Sequence, residues 1–240
     1  MHCRQLLQGM LLSVVATTLL TAQAPAAQPQ PTPEALSAAY TQAMQARDWQ
    51  GAIAAAQKLI DLGPTAEHIR MLGAAQINAN DSQTALATFD RALAAAETEK
   101  PAAGQPDAAW KDDISQIYFW KGNALLKLHR NMEAVDAFTR SAELTSDPAK
   151  PYFNICAVLY NVGDTQNALP ACRKAVIVGP TNANAWFVLG SLLFVDAKTD
   201  DHGNFVITPE CRQALQKYLE LAPDGPHAAD VKAMLQMAAK

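Results

Sequence analysis

A block of apolar and small residues returns about every 34 positions through most of this chain, and a period of that length describes a stack of small units rather than a globule. The clearest frame is Tyr152 to Pro180, YFNICAVLYNVGDTQNALPACRKAVIVGP. An anchor, Tyr152, is followed by an apolar and a small residue, Ile155 and Cys156. A turn falls at Gly163 and Asp164, and then come Ala168, Cys172, Ala175 and a closing Pro180. The same frame lies on Tyr118 to Ser146, which carries Gly122, Ala134, Phe138 and Ala142. The alanines Ala52, Ala85, Ala134 and Ala168 are separated by 33, 49 and 34 positions, and the 49 locates an insertion. One unit of this size cannot bury its apolar face alone, so neighbours must stack and share a continuous core.

Half of the 240 residues are hydrophobic, mostly alanine and leucine. That composition favours helix over sheet, and no strand is expected. Two helices of about 14 residues joined by a short turn pack antiparallel only where the residues at their crossing are small. Gly73, Gly122 and Gly190 on first helices are expected to face Ala85, Ala134 and Cys211 on second helices. Phe89, Phe138 and Leu215 then fill the space between one repeat and the next.

Over residues 33–225 this pattern resembles the tetratricopeptide repeat family, most clearly in the third to fifth repeats. The resemblance implies an all-α, right-handed superhelical solenoid of helix-turn-helix repeats. Five repeats are expected at about 33–65, 66–99, 115–148, 149–182 and 183–225, with insertions at 99–113 and 196–210 and a capping helix at 226–240. The first repeat departs from the pattern, with Tyr40 where a small residue is expected. Thr32-Pro33 and Thr208-Pro209 read as an N-cap followed by the first helical residue. Trp110, in the first insertion, is expected to fold onto the array.

Residues 1–27 read as a signal peptide. Arg4 supplies the positive start, Leu6 to Leu20 the apolar stretch, and a small-residue site favours cleavage after Ala26 or Ala27. That stretch is shorter than the roughly 20 residues needed to span a bilayer, so export with cleavage is expected, to a periplasmic or secreted location, with no membrane insertion afterwards. Residues 28–32 read as a linker. Cys156, Cys172 and Cys211 remain, each where the repeat calls for a buried residue, and cysteine behaves there as a small hydrophobe. Packing is therefore expected of all three; were a disulfide to form, Cys156 and Cys172 would be the pair.

The resemblance implies a concave surface lined by first helices. Counting from each anchor, that lining should include Arg70, then Phe119, Trp120, Asn123 and Lys127, then Lys150, Phe153, Asn154 and Tyr160, and finally Phe187, Ser191 and Phe194. Aromatic rings beside amides suit an extended peptide, the rings holding its apolar side chains and the amides its backbone. An aromatic beside the anchor also serves packing in such repeats, so Phe119, Phe153 and Phe187 have two readings. Family members that grip a terminal carboxylate use two asparagines, two lysines and an arginine; Asn123 and Asn154 match the asparagines, but Phe119, Asn184 and Val188 occupy the other positions.

No phosphate loop, G-x-S-x-G, H-E-x-x-H or C-x-x-C occurs, and the histidines are dispersed. No catalysis and no cofactor are expected. The net charge of −4 carries no run of like sign that would point to nucleic acid. In the second insertion Asp196, Asp200, Asp201, His202 and Glu210 surround Gly203. A calcium-loop alignment, however, puts Lys198 and Pro209 at ligand positions, and neither can bind the ion. A solvated loop with Phe205, Val206 and Ile207 tucked against the array is expected instead. The sequence thus points to a scaffold binding a protein or peptide, with a structural subunit of a cell-envelope assembly as the alternative.

Overall fold

A computed structural model describes residues 31–105, 107–200 and 205–238, so the expected signal peptide and most of the linker lie outside it. From Thr32 onward the chain forms one unit. Among the described residues it has eleven helices: α1 (Pro33–Ala46), α2 (Trp49–Leu62), α3 (Ala66–Asn78), α4 (Ser82–Thr98), α5 (Ala108–Lys127), α6 (Asn131–Leu144), α7 (Ala149–Asn161), α8 (Thr165–Val178), α9 (Ala183–Val195), α10 (Pro209–Leu221) and α11 (Ala228–Met237). Each packs chiefly on the next, giving a solenoid of helix pairs. First helices also meet one another, α3 against α5 and α7 against α9, which marks their side as the inner one. α5 and α7 stand further apart.

Local chemistry fixes where the helices begin and turn. The side chains of Thr32, Asp48, Thr65, Asp81, Asp164, Asn182 and Thr208 each accept a hydrogen bond from a backbone N–H of the first turn that would otherwise lack a partner. Between first and second helices the chain reverses through one left-handed residue: Arg47, Asn80, His129 and Gly163, with φ of 58°, 65°, 57° and 78°. Glycine meets that need in one repeat only, which is why glycine spacing alone hides the regularity.

The helix crossings differ from expectation. A Cβ added to Gly73 would stand 2.6 Å from the Phe89 ring, one added to Gly122 2.6 Å from the Phe138 ring, and one added to Gly190 2.7 Å from Leu215. Each glycine therefore makes room for the large residue of its own repeat, not chiefly for the alanine nearer the turn. In the fourth repeat the corresponding positions are Cys156 and Cys172, and these form a disulfide with Cα atoms 4.7 Å apart, overturning the packing-only expectation for both. Cys211 stays free and buried as expected, its Sγ 3.6 Å from the Gly190 carbonyl. In the first repeat the sizes are reversed. Tyr40 lies on the first helix and a fully buried Ala56 on the second, and the Tyr40 hydroxyl donates to the Met71 carbonyl of the next repeat at 3.0 Å. α8 also carries Pro170 inside the helix, where a missing N–H and a ring clash cost on the order of 3 kcal/mol.

Both insertions extend this frame. α5 runs 20 residues, and the Trp110 indole N–H donates to the Ala96 carbonyl at 2.8 Å, so Trp110 does fold onto the array. The second insertion departs from the expectation of no strand, because Lys198–Thr199 (β1) and Phe205–Val206 (β2) pair antiparallel. Of the three apolar residues expected against the array, Ile207 is buried, whereas Phe205 and Val206 are 39 and 54% exposed. Asp201, His202 and Gly203 lie outside the described residues. Ala228 and Val231 of α11 are buried, and the His227 N–H donates to the Tyr218 hydroxyl at 2.9 Å.

Candidate functional site

The first-helix face carries three clefts. One, of about 270 Å³, opens where α5 and α7 stand apart and is lined by Phe119 and Trp120 of α5, Asp147, and Lys150 and Pro151 of α7. A second, of about 340 Å³, lies between α7, α9 and the start of α11; Phe153, Tyr160, Asn161, Asn184, Phe187 and His227 line it. The third is small, about 130 Å³, and holds Asn154 and Asn161 near Asn131. Phe119, Trp120 and Lys150 are thus brought together, as are Phe153, Tyr160 and Phe187.

Packing and lining are combined in the same rings. Phe119 is half-buried, with its centroid 5.6 Å from Phe138 and 6.3 Å from Trp120. Phe187 lies 5.7 Å from the buried Tyr218 and stacks flat on the His227 imidazole at 3.8 Å and 5°. These rings are anchored from behind and offer one face to the cleft, so little side-chain freedom remains to be lost on contact with a ligand.

Other expected residues sit elsewhere. Ser191 is buried at 7% exposure, and its hydroxyl has no partner among the described residues. α9 is apolar nearly all round, so a position that lies on the open face of α5 is closed over here. Phe194 stacks on Phe205 of the hairpin at 6.0 Å. The Lys127 ammonium reaches back to the Ile77 carbonyl at 3.1 Å, at the C-terminal end of α3 where a cation is favoured. Arg70 is half-buried with Glu67 4.0 Å away. Near it, burial and the Glu67 charge raise the Asp113 carboxyl above the usual range. Asn123, like these four, lines none of the three clefts.

The sequence reading missed a larger cleft of about 480 Å³ formed by α4, α5 and α6. Leu86, Tyr118, Leu125 and Ala137 line it together with charged groups of both signs, including the Lys121–Asp90 pair at 2.7 Å. Its signal in sequence is the charge on second helices, at Asp90, Glu133, Asp136 and Arg140, which reads equally well as a solvated face. Cys211 offers no chemistry: burial pushes its thiol up to about 11, and the thiol rather than the reactive thiolate prevails at neutral pH. No group of metal-ligating side chains occurs among the described residues.

Helix pairs stacked in one direction, with clefts between successive first helices, define a helical-repeat solenoid. Residues 37–100 match the family model described as tetratricopeptide repeat. The fold extends over most of the chain in solved structures. It is similar to Pseudomonas aeruginosa PilF, with a TM-score of 0.62 and 14% identity over 86% of this chain and 87% of that one. It is similar to MamA from Desulfovibrio magneticus RS-1 (0.58; 16% identity; 81 and 97% covered) and to YrrB, a TPR protein described as having an unusual peptide-binding site (0.56; 17%; 85 and 94%). The chain therefore has the fold of tetratricopeptide-repeat proteins, and residues 37–100 carry the repeat itself. No curated protein matches it.

Proposed function

We propose that this protein is an exported scaffold that binds a protein or peptide partner across its first-helix face and performs no catalysis. The observation that carries this reading is the lining of the inner clefts. Phe119, Trp120, Phe153, Tyr160 and Phe187 present apolar faces, Asn154, Asn161 and Asn184 supply amides, and Lys150 is the one lysine or arginine among the described lining residues. Such a surface suits an extended segment with apolar side chains, its backbone bonded by the amides. The peptide-binding site ascribed to YrrB supports the same use of the fold. Export is supported by the leader-like start of the chain and by the Cys156–Cys172 disulfide, since structural disulfides persist in oxidising compartments.

The test is site-specific photocrosslinking in the native cell, with the reactive residue at Trp120 or Phe187, followed by mass spectrometry. One dominant partner captured from both positions is expected. Capture from the α4–α6 cleft alone would sink the reading and favour a structural subunit of an envelope assembly.

A further inference from the structure

We infer that the Cys156–Cys172 disulfide is a redox-operated fastening, without which the fourth repeat does not close and the α7 side of the inner clefts is not assembled. The part that concerns the clefts rests on the function proposed above. The fastening itself rests on the pattern of crossings.

In the second, third and fifth repeats this crossing is filled by glycine against Phe89, Phe138 or Leu215. The fourth repeat has only two cysteines there. As separate thiols they fill less space than a phenylalanine ring on glycine, and a crossing that is not filled loses contacts it cannot recover. The same repeat carries a second weakness, the Pro170 inside α8, two residues before Cys172. A helix with an interior proline depends on tertiary packing, and in the reduced chain that packing is poorest at this crossing. Oxidation supplies a covalent link where the side chains do not supply bulk.

Burial sets the order of events. Cys156 and Cys172 are both 0% exposed, so no thiolate or disulfide reaches them once α7 and α8 have closed. Oxidation therefore precedes closure. The Cys156 thiolate attacks a disulfide of a thiol–disulfide oxidoreductase, forming a mixed disulfide and releasing one oxidoreductase thiol. The Cys172 thiolate then attacks the Cys156 sulfur and releases the second. Two thiols of this chain become one disulfide, and the oxidant's disulfide becomes two thiols. After closure the same burial protects the bond from reductant. α7 carries Phe153, Asn154 and Tyr160, so the inner clefts take shape only where such an oxidant is present.

The test uses the purified chain, unfolded in urea and refolded with or without a thiol reductant, followed by hydrogen exchange and thermal melting. The reduced chain is expected to lose protection in α7 and α8 while α3 to α6 retain theirs, and its melting midpoint falls by roughly 6–12 °C. Cys156→Gly with Cys172→Phe installs the filling of the third repeat and is expected to melt near the oxidised chain, with or without reductant. Equal protection and equal melting of the reduced and oxidised chains would overturn the inference. So would a double variant that melts no higher than the reduced chain. Neither readout involves a partner, so the fastening fails or stands apart from the proposed function.

Discussion

In the third repeat the crossing of α5 and α6 is filled by the Phe138 ring lying on Gly122, and in the fourth the crossing of α7 and α8 is closed by the bond between Cys156 and Cys172. The first filling is apolar, fully buried between Gly122 and Phe119 of the facing helix, and does not respond to redox conditions. The second ties one atom to one atom and leaves the surrounding packing to smaller side chains. The first repeat adds another arrangement, with the large residue, Tyr40, on the first helix and a buried Ala56 at the corresponding position of the second. What the repeat conserves within this molecule is therefore a pair of positions that together occupy a fixed gap, and not a residue type at either position.

The comparison breaks most visibly at Phe138. Phe138→Ala is expected to cost about 3–5 kcal/mol, read by urea unfolding; a loss under about 1 kcal/mol would mean that the ring does not hold the crossing. Gly122→Cys with Phe138→Cys converts the third crossing into the fourth. Its oxidised form should exceed its reduced form by about 3 kcal/mol, and two thiols that remain open to alkylation under oxidant would show that the two crossings differ in geometry. Tyr40→Phe keeps the reversed filling and removes only the hydrogen bond to Met71, with an expected loss of about 1 kcal/mol; a neutral result would assign Tyr40 to bulk alone.

The smallest effect is expected at the exposed Arg173–Glu210 pair, at 2.7 Å, which links α8 to α10 around the fourth repeat. Glu210→Gln should cost less than about 1 kcal/mol. The Arg173 guanidinium donates to both Glu210 oxygens and holds that carboxyl below the usual range. Its contribution is present above the ordinary carboxylate pKa and is lost as pH falls through the depressed value. The difference between the parent chain and the variant should therefore shrink on acidification, and one that grows instead would contradict the assignment.

The period, the helix starts at Thr32 and Thr208, and the place of Trp110 were legible because each rests on residues close in sequence. The disulfide was legible in its pairing but not in its formation, for a specific reason. Sequence pattern pairs Gly73 and Gly122 with Ala85 and Ala134 and leaves the phenylalanines to the gap between repeats. Set against Phe89 and Phe138, as the structure has them, the same register puts Cys156 directly opposite Cys172. The aromatic line Phe119, Phe153 and Phe187 could be counted from the anchors, but Ser191 could not, because its burial depends on how α9 is covered by later elements. The hairpin at Lys198 and Phe205 is likewise a tertiary outcome, two residues per strand being too short to leave a periodic signal.

The disulfide also changes how the molecule carries a load. Stretched along the chain, a helical array lengthens by unravelling one pair of helices after another, and each pair releases its full contour. The 16-residue segment closed by Cys156 and Cys172 cannot be drawn out, which withholds on the order of 55 Å at roughly 3.5 Å per residue. Tension in the oxidised chain runs through the sulfur atoms and bypasses the turn at Gly163 and Asp164, so that turn stays slack while the chain on either side is pulled straight.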